Sequence, residues 1–423
     1  MLFFLSLRVL WLLGADSSHA MLPQKQPCPL FSNGTITINS YQLYPENVDF
    51  DQHSCLLYIG SLYNASVVVY DPYKASVVST IEFPNITRTP PFHIGGVAWD
   101  PYSGDRDEIT ILVDAAPAHE TAGRNITGEN YLIRYSSATN RTLWQANLTA
   151  ISCGRYGGPQ DVEHDAEGNI YVLGTYPGTL QRVSSSGIVS EWFVPPNKAL
   201  DHNVYGFTGL AAVEDTTTLL VADARNGSVE GGVLWRFDMS ASRGKGVEVG
   251  ITYPDSHNSS MSAEVIRPGD AIYLPARYGG EVLLIAEHAG GVSVLRARGE
   301  SKVEAEAESK PTLKSHSGKS KESKERRKRD ERDEKRDRKD WRAAEFLGRI
   351  PNPPEIIASG GVVTAAVEVG GSVFLIEEWF TDPLVPGTSA GNRSLFPLID
   401  ITAQLDALVN ASQKEKGIGG RLS

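Results

Sequence analysis

Apolar and polar residues alternate with a period of two in short runs along most of this chain, and the runs come in groups of three or four. Each group opens on a polar or glycine position followed by an apolar residue. The openings are NVDFD from Asn47, GVAWD from Gly96, DVEHD from Asp161, GLAAV from Gly209, DAIYL from Asp270 and TAAVE from Thr364. Their starts lie 49, 65, 48, 61 and 94 residues apart, and the last interval falls to 51 without a charged stretch at 300–342. After each opening come a second apolar run (LLYIGSLY, ITILVDA, NIYVLGT, LLVADAR, VLLIAEH, SVFLIEEWF) and then a third. Six such units of about fifty residues predict an all-β, six-bladed β-propeller.

Five units show a fourth, outer strand and the sixth does not. The segment GTITINSYQLY, 34–44, has no unit of its own and is expected to complete blade six, closing the ring through an N-terminal strand. The chain then divides into a leader, 1–20, and one propeller, 21–423, with a disordered charged insert at 300–342 inside blade five. On this layout Cys28 precedes the closing strand and Cys55 sits in the first hairpin of blade one, both on the bottom face. Cys153 falls on the opposite face. The expected disulfide is therefore Cys28–Cys55, with Cys153 free.

The insert carries 16 Lys/Arg and 12 Asp/Glu, so the rest of the chain holds −15 of the net −11. Interleaved acids and a lack of aromatics before Trp341 argue against a nucleic-acid surface and for a solvated loop, with a translated intron as its alternative origin. The overall negative charge also speaks against nucleic acid as partner. Residues 1–20 read as a secretory signal, an apolar run ending in Ser18-His19-Ala20, with a single membrane anchor as the alternative. No later segment suggests a stable membrane span. Ten N-x-S/T sequons agree with passage through the secretory lumen and secretion: Asn33, Asn64, Asn85, Asn125, Asn140, Asn147, Asn226, Asn258, Asn392 and Asn410. A monomer is expected.

First strands of propeller blades begin beside the central channel, so polar residues at their starts should converge on a top-face cavity. Candidate acid–base groups are His93, Asp161 and Glu46. Candidate substrate contacts are Asn47, Gln160, Tyr205, Thr208, Asp270, His288, Glu378 and Trp379, with Asp114, Asp223 and Glu287 at second-strand ends. Asp51, Asp100 and Asp165 are expected to be turn residues on the far face, and Trp99, Trp144, Trp192 and Trp235 to pack between blades. His164 is expected on a blade surface. There is no nucleophile elbow, zinc-protease motif or P-loop, and no cysteine-based metal site.

DVEHDAEGNIYV resembles the repeat of gluconolactonase/regucalcin-like six-bladed propellers, some of which are calcium- or zinc-dependent lactonases. Their E-x-P, N-G and P-D-G metal-site elements are not reproduced, so no metal or other cofactor is expected, with Ca²⁺ as the alternative. A closer resemblance covers nearly the whole mature chain. PENVDFDQHSCLLYIGSLYNASVVVYDP, HIGGVAWD, NLTAISCGRYGGPQDVEHDAEGNIYVLGTYPG and GGVVTAAVEVGG…EEWFTD look like the fungal trichothecene-cluster protein-fourteen family. That resemblance implies a secretory-pathway propeller of fungal secondary metabolism. It makes cyclisation, isomerisation or dehydration of an oxygenated small molecule the expected function. A metal-dependent lactonase-type hydrolase and a non-enzymatic secreted binding protein are the alternatives.

Overall fold

The computed structural model describes residues 28–32, 34–104, 107–196, 200–225, 231–253, 266–267, 269–298 and 341–419. The expected leader, nearly all of the charged insert, and the sequons at Asn33, Asn226 and Asn258 lie outside the described residues. Among the described residues the strands form six sheets. The first strands are Pro45–Asp51, Phe92–Trp99, Gly157–His164, Phe207–Ala212, Ile272–Tyr273 and Val362–Val369. Consecutive blades pack side by side, and the first strands of blades six and one meet to complete the ring. Ile36–Asn39 pairs antiparallel with Leu395–Asp400 as the outer strand of blade six.

Six apolar clusters fill the six seams between blades, and the period of two in each strand explains them. In the second strand of blade two, Ile109, Ile111 and Val113 point into the seam with blade one, while Leu112 points into the seam with blade three. Both faces of an inner strand are thus buried, so these strands read as nearly continuous apolar runs. Each fully buried Leu, Ile or Val contributes about 1.5–3 kcal/mol, which makes the seams the main source of cohesion. The seam of blades six and one holds Ile36 and Ile38 of the N-terminal strand with Phe374 and Phe396. The Cys28–Cys55 disulfide forms beside it, with Cα atoms 5.6 Å apart, and Cys153 is free and exposed.

The turn aspartates behave as expected. Asp51 Oδ1 accepts the amides of His53 and Ser54, Asp100 Oδ1 that of Tyr102, and Asp165 Oδ1 those of Glu167 and Asn169, at 2.6–3.1 Å. His164 departs from expectation. It is fully buried and lies 2.8 Å from Thr110 Oγ1 and 3.0 Å from Arg134 Nη1, with burial pushing its pKa down to about 4. The seam of blades two and three covers the face that the sequence alone leaves open.

Three further features were not anticipated. Gly250–Thr252 adds a fifth, parallel strand outside Ala343–Ile350 in blade five. A helix, Thr402–Gly419, starts beneath an Asp400 carboxylate that accepts the Thr402 amide at 2.9 Å, and buries Leu405 and Val409 against blades five and six. Trp341 is fully buried between blades four and five and donates to Gly280 O at 2.9 Å, so the blade resumes before the expected end of the insert at 342. Arg298 and Ala343 are direct cross-strand partners. No helix among the described residues is long and apolar enough to cross a membrane.

Candidate functional site

Five of the six first strands carry a register shift at their openings. The shifts fall between Pro45 and Val48, Ile94 and Gly96, Pro159 and Asp161, Phe207 and Gly209, and Val363 and Ala365. A bulge inserts an unpaired residue and re-aims its side chain. The residues inserted are Glu46 with Asn47, Gly95, Gln160, Thr208 and Thr364. Asp270 precedes the short first strand of blade five and holds the corresponding place, its amide donating to Ala286 O at 2.8 Å. The polar openings of the six units are thus the points at which the inner strands turn side chains toward the axis.

Above this ring lies a cavity of about 790 Å³. Glu46, Gln160, Asp270, His93, Asp114 and His288 are among its polar lining, with Glu120 and Asp382 as further acids. Tyr63, Pro90, Pro91, Phe92, Tyr176, Tyr205 and Phe380 give it aromatic and apolar walls. Tyr205 packs 5.9 Å from the Tyr176 ring, and Tyr63 stands edge-on to His93 at 5.4 Å.

Asp270 organises the blade-five side. Gln160 Nε2 donates to its Oδ1, Thr175 Oγ1 donates to Gln160 Oε1 at 2.8 Å, and His288 Nε2 lies 3.1 Å from Asp270 Oδ2. The bond to Asp270 raises the His288 pKa, favouring the imidazolium. In blade two, His93 and Asp114 are direct cross-strand partners. Burial lowers the His93 pKa and keeps its imidazole neutral near pH 7. Asp114 is 1% exposed, has no hydrogen bond on either oxygen, and faces His119 Nε2 at 3.8 Å. Gly95 makes room for it, since a Cβ there would stand 3.1 Å from Asp114 Oδ1.

Glu46 lies amid these acids. Its Oε2 is buried with no hydrogen-bond partner. Burial first, then the negative charge of Asp270, Glu378, Asp114 and Asp161, holds its carboxyl well above the usual range, which favours the protonated form.

Asp161 has a different setting. It does not line the cavity. Its Oδ1 accepts the Val162 amide at 2.9 Å and Asn47 Nδ2 at 3.0 Å, and its Oδ2 accepts the Leu210 amide of blade four at 3.3 Å. Burial pushes its pKa up to about 7. Asp49 and Glu163 repeat the pattern, each accepting its own following amide and one from a later blade, Trp99 and Ala212 respectively. These three carboxyl groups tie first strands together around the axis.

Other expected contacts also lie outside the cavity. Trp379 is 2% exposed, donates to Ser359 Oγ at 3.0 Å and carries the Arg393 guanidinium 4.1 Å above its ring. It is a packing residue of blade six rather than a cavity wall. Glu378, Thr208 and Thr364 are buried and do not line the cavity. Asp223 holds Arg225 N and Trp235 Nε1, and Glu287 holds Arg349, Ser293 and the Arg267 amide. Sequence reasoning missed His119, on the short helix Pro117–Glu120, and Tyr63, Tyr176 and Phe380 in top-face loops. The one available signal was PAHE directly after the second strand of blade two.

Among the described residues no group of three or more His, Cys, Asp or Glu is placed to hold a metal ion.

No family model matches the chain. The solved structure of the major allergen Mala s 1 of Malassezia sympodialis is similar in fold, with TM-score 0.61 at 16% identity over 88% of this chain and 96% of that one. A gluconolactonase of Xanthomonas campestris is matched with TM-score 0.44 at 14% identity, over 90% of this chain and 99% of that one. Core trichothecene cluster protein 14 of Fusarium sporotrichioides is 27% identical over 406 residues, 92% of this chain and 90% of that protein. Trichothecene biosynthesis protein 14 of Trichoderma arundinaceum is 30% identical over 409 residues, 93% of this chain and 94% of that protein. With identity at that level running from end to end of the propeller, the chain belongs to the trichothecene-cluster protein-fourteen family.

Proposed function

We propose that this chain is an acid–base catalyst of secondary-metabolite biosynthesis that closes a ring in, isomerises or dehydrates an apolar, oxygenated intermediate. The observation that carries the reading is Glu46: a carboxyl whose buried Oε2 has no hydrogen-bond partner, pushed toward its protonated form by burial and then by its acidic neighbours, lining a cavity walled by aromatic and proline side chains. The names of its relatives support the biosynthetic setting. The leader-like N-terminus, and sequon asparagines exposed at positions 85, 125, 140, 392 and 410, support work in the secretory pathway.

In the dehydrative case, Glu46 gives its proton to a departing hydroxyl, the C–O bond breaks and water leaves. A second hydroxyl of the same molecule attacks that carbon and passes its proton to the neutral imidazole of His93. The proton returns from His93 to Glu46 through cavity water, and the net change is the loss of one water. If the departing oxygen stays attached elsewhere in the molecule, the same transfers give an isomer. Such a pair of proton transfers contributes on the order of 10²–10⁴-fold in rate for each group.

The test is complementation of a gene-deletion strain with wild type or Glu46→Gln, followed by metabolite profiling. Gln keeps the shape and removes the proton donor. The expected result is a precursor that accumulates in the deletion strain, disappears with wild type and persists with Glu46→Gln. Full restoration by Glu46→Gln would overturn the assignment.

A further inference from the structure

Blades two and five stand opposite one another in a ring of six. Each brings an acid with a histidine beside it to the same cavity, Asp114 with His119 and Asp270 with His288. The two pairs differ in one respect. Asp270 is saturated by Gln160 and His288. Asp114 is 1% exposed, yet neither of its oxygens has a hydrogen bond, and it lines the cavity. A buried acid without donors is costly to maintain, and a ligand that supplies a donor recovers that cost on binding. His119, on a short helix with its ring 5.7 Å from that of Tyr176, lies 3.8 Å from Asp114 Oδ2 and lines the same cavity. The Gly95 position, where a side chain would press on Asp114, keeps the carboxyl free to meet a ligand.

We infer that Asp114 is an anchor that accepts a hydrogen bond from a substrate hydroxyl, and that the ligand is a compact apolar skeleton bearing oxygen functions at two opposite edges. One edge is held by Asp114 of blade two and the other faces His288 of blade five. The skeleton between them packs on Tyr63, Phe92, Tyr176 and Tyr205. His288, its Nε2 held by Asp270, offers its other ring nitrogen as a donor to an ether, carbonyl or hydroxyl oxygen, while Asp114 calls for an O–H donor. The two ends are therefore chemically distinct and fix the direction in which the molecule enters. This inference rests on the small-molecule reading of the cavity and adds the class of ligand that the cavity selects.

The experiment is retention. The organic extract of the gene-deletion strain is mixed with purified wild type, Asp114→Asn or Asp114→Ala, the protein is recovered by ultrafiltration, and retained compounds are identified by mass spectrometry. Free hydroxyls are counted from mass shifts on acetylation. Wild type is expected to retain a compound with at least two oxygen functions, one of them a free hydroxyl. Retention should fall about tenfold in Asp114→Asn, which loses the charge assistance, and about a hundredfold in Asp114→Ala. Asp114 makes no hydrogen bond in the protein, so both variants should fold. If the alanine variant does not, the asparagine variant decides.

Equal retention by Asp114→Asn and wild type, or a retained compound without a hydroxyl, would overturn the anchor. Conversion of the retained compound by wild type is scored separately. Asp114-dependent retention without conversion keeps the anchor and sinks the catalyst. Conversion without Asp114 dependence does the reverse, and no retained compound at all overturns both.

Discussion

Asp161→Asn separates a structural tie from a group of the reaction. The wild-type carboxylate accepts three donors: the Val162 and Leu210 amides and Asn47 Nδ2. An asparagine there has one accepting oxygen and one donating NH₂. Whichever way it turns, at least one buried N–H faces another donor. An unpaired buried donor costs about 1–3 kcal/mol. Part of the loss falls at Leu210 in blade four or at Asn47 in blade one, so it should appear as a weakened ring. The expected outcome is a lower denaturation midpoint by that free energy, with turnover reduced less than about tenfold through displacement of Asn47 and its neighbour Glu46. Glu46→Gln should give the opposite pair of results: turnover lower by about 10²–10⁴, and stability unchanged or improved because the neutral amide needs no proton uptake on folding. Chemical denaturation of both variants, alongside complementation of the deletion strain, reads both quantities. If Asp161→Asn abolishes turnover at unchanged stability, Asp161 acts in the chemistry and the assignment of roles is wrong.

Glu377 tests the cost of burial away from the cavity. It is fully buried, its Oε2 accepts from Asn352 Nδ2 at 3.2 Å, its Oε1 has no partner, and burial pushes its pKa from 4.5 up to about 8. Between those two pH values the native state holds a proton that the unfolded chain has lost, so stability falls as pH rises, by up to about 1.4 kcal/mol per unit. Glu377→Gln should match wild type near pH 5 and exceed it by a few kcal/mol at pH 8.5, and parallel stability curves would refute this. Replacing 299–340 by Asn-Gly leaves a four-residue loop between the partners Arg298 and Ala343. The shorter loop should keep the fold and raise stability by up to about 2 kcal/mol, and a drop in the melting transition would show that the insert packs on the ring. Trp341→Ala should instead cost about 3–5 kcal/mol in the same assay, because Trp341 fills the seam of blades four and five.

The repeat was legible because inner strands buried on both faces write themselves as apolar runs, and the interval between runs counts the blades. The convergence of Glu46, His93, Gln160, Tyr205, Asp270 and His288 on one cavity was legible for the same reason: strand starts must lie near the axis. The bulges were not, because an inserted residue leaves no mark in a pattern whose phase is judged over only five or six positions. That omission explains why Gln160 and Asp161, adjacent in sequence, have separate fates. The bulge turns Gln160 to the cavity and leaves Asp161 among backbone amides. His164 and Trp379 were misplaced because the partner that covers each is distant in sequence, Arg134 for one and Arg393 for the other. The terminal helix was hidden by its composition. Only Leu405, Leu408 and Val409 of Thr402–Gly419 mark an apolar face, and the Arg296 guanidinium that ties Val409 O at 2.7 Å comes from another blade.

Burial alone does not separate the acids of this channel. Asp161 and Asp114 are buried and Asp49, Glu163 and Glu46 half-buried, so depth nominates satisfied and unsatisfied acids alike. Their donors do separate them. Asp49, Asp161 and Glu163 each accept a neighbouring amide and an amide from another blade, so folding itself satisfies them and a substrate finds no free lone pair along those directions. Glu46 and Asp114 line the cavity, and Glu46 Oε2 and both oxygens of Asp114 accept no hydrogen bond from the protein. A propeller must place something polar where six strand starts converge, and most of those groups serve the ring. Thr208, Thr364 and Glu378 also keep unpartnered oxygens but do not line the cavity; Glu46 and Asp114 do, so theirs are the hydrogen bonds a bound molecule is placed to complete.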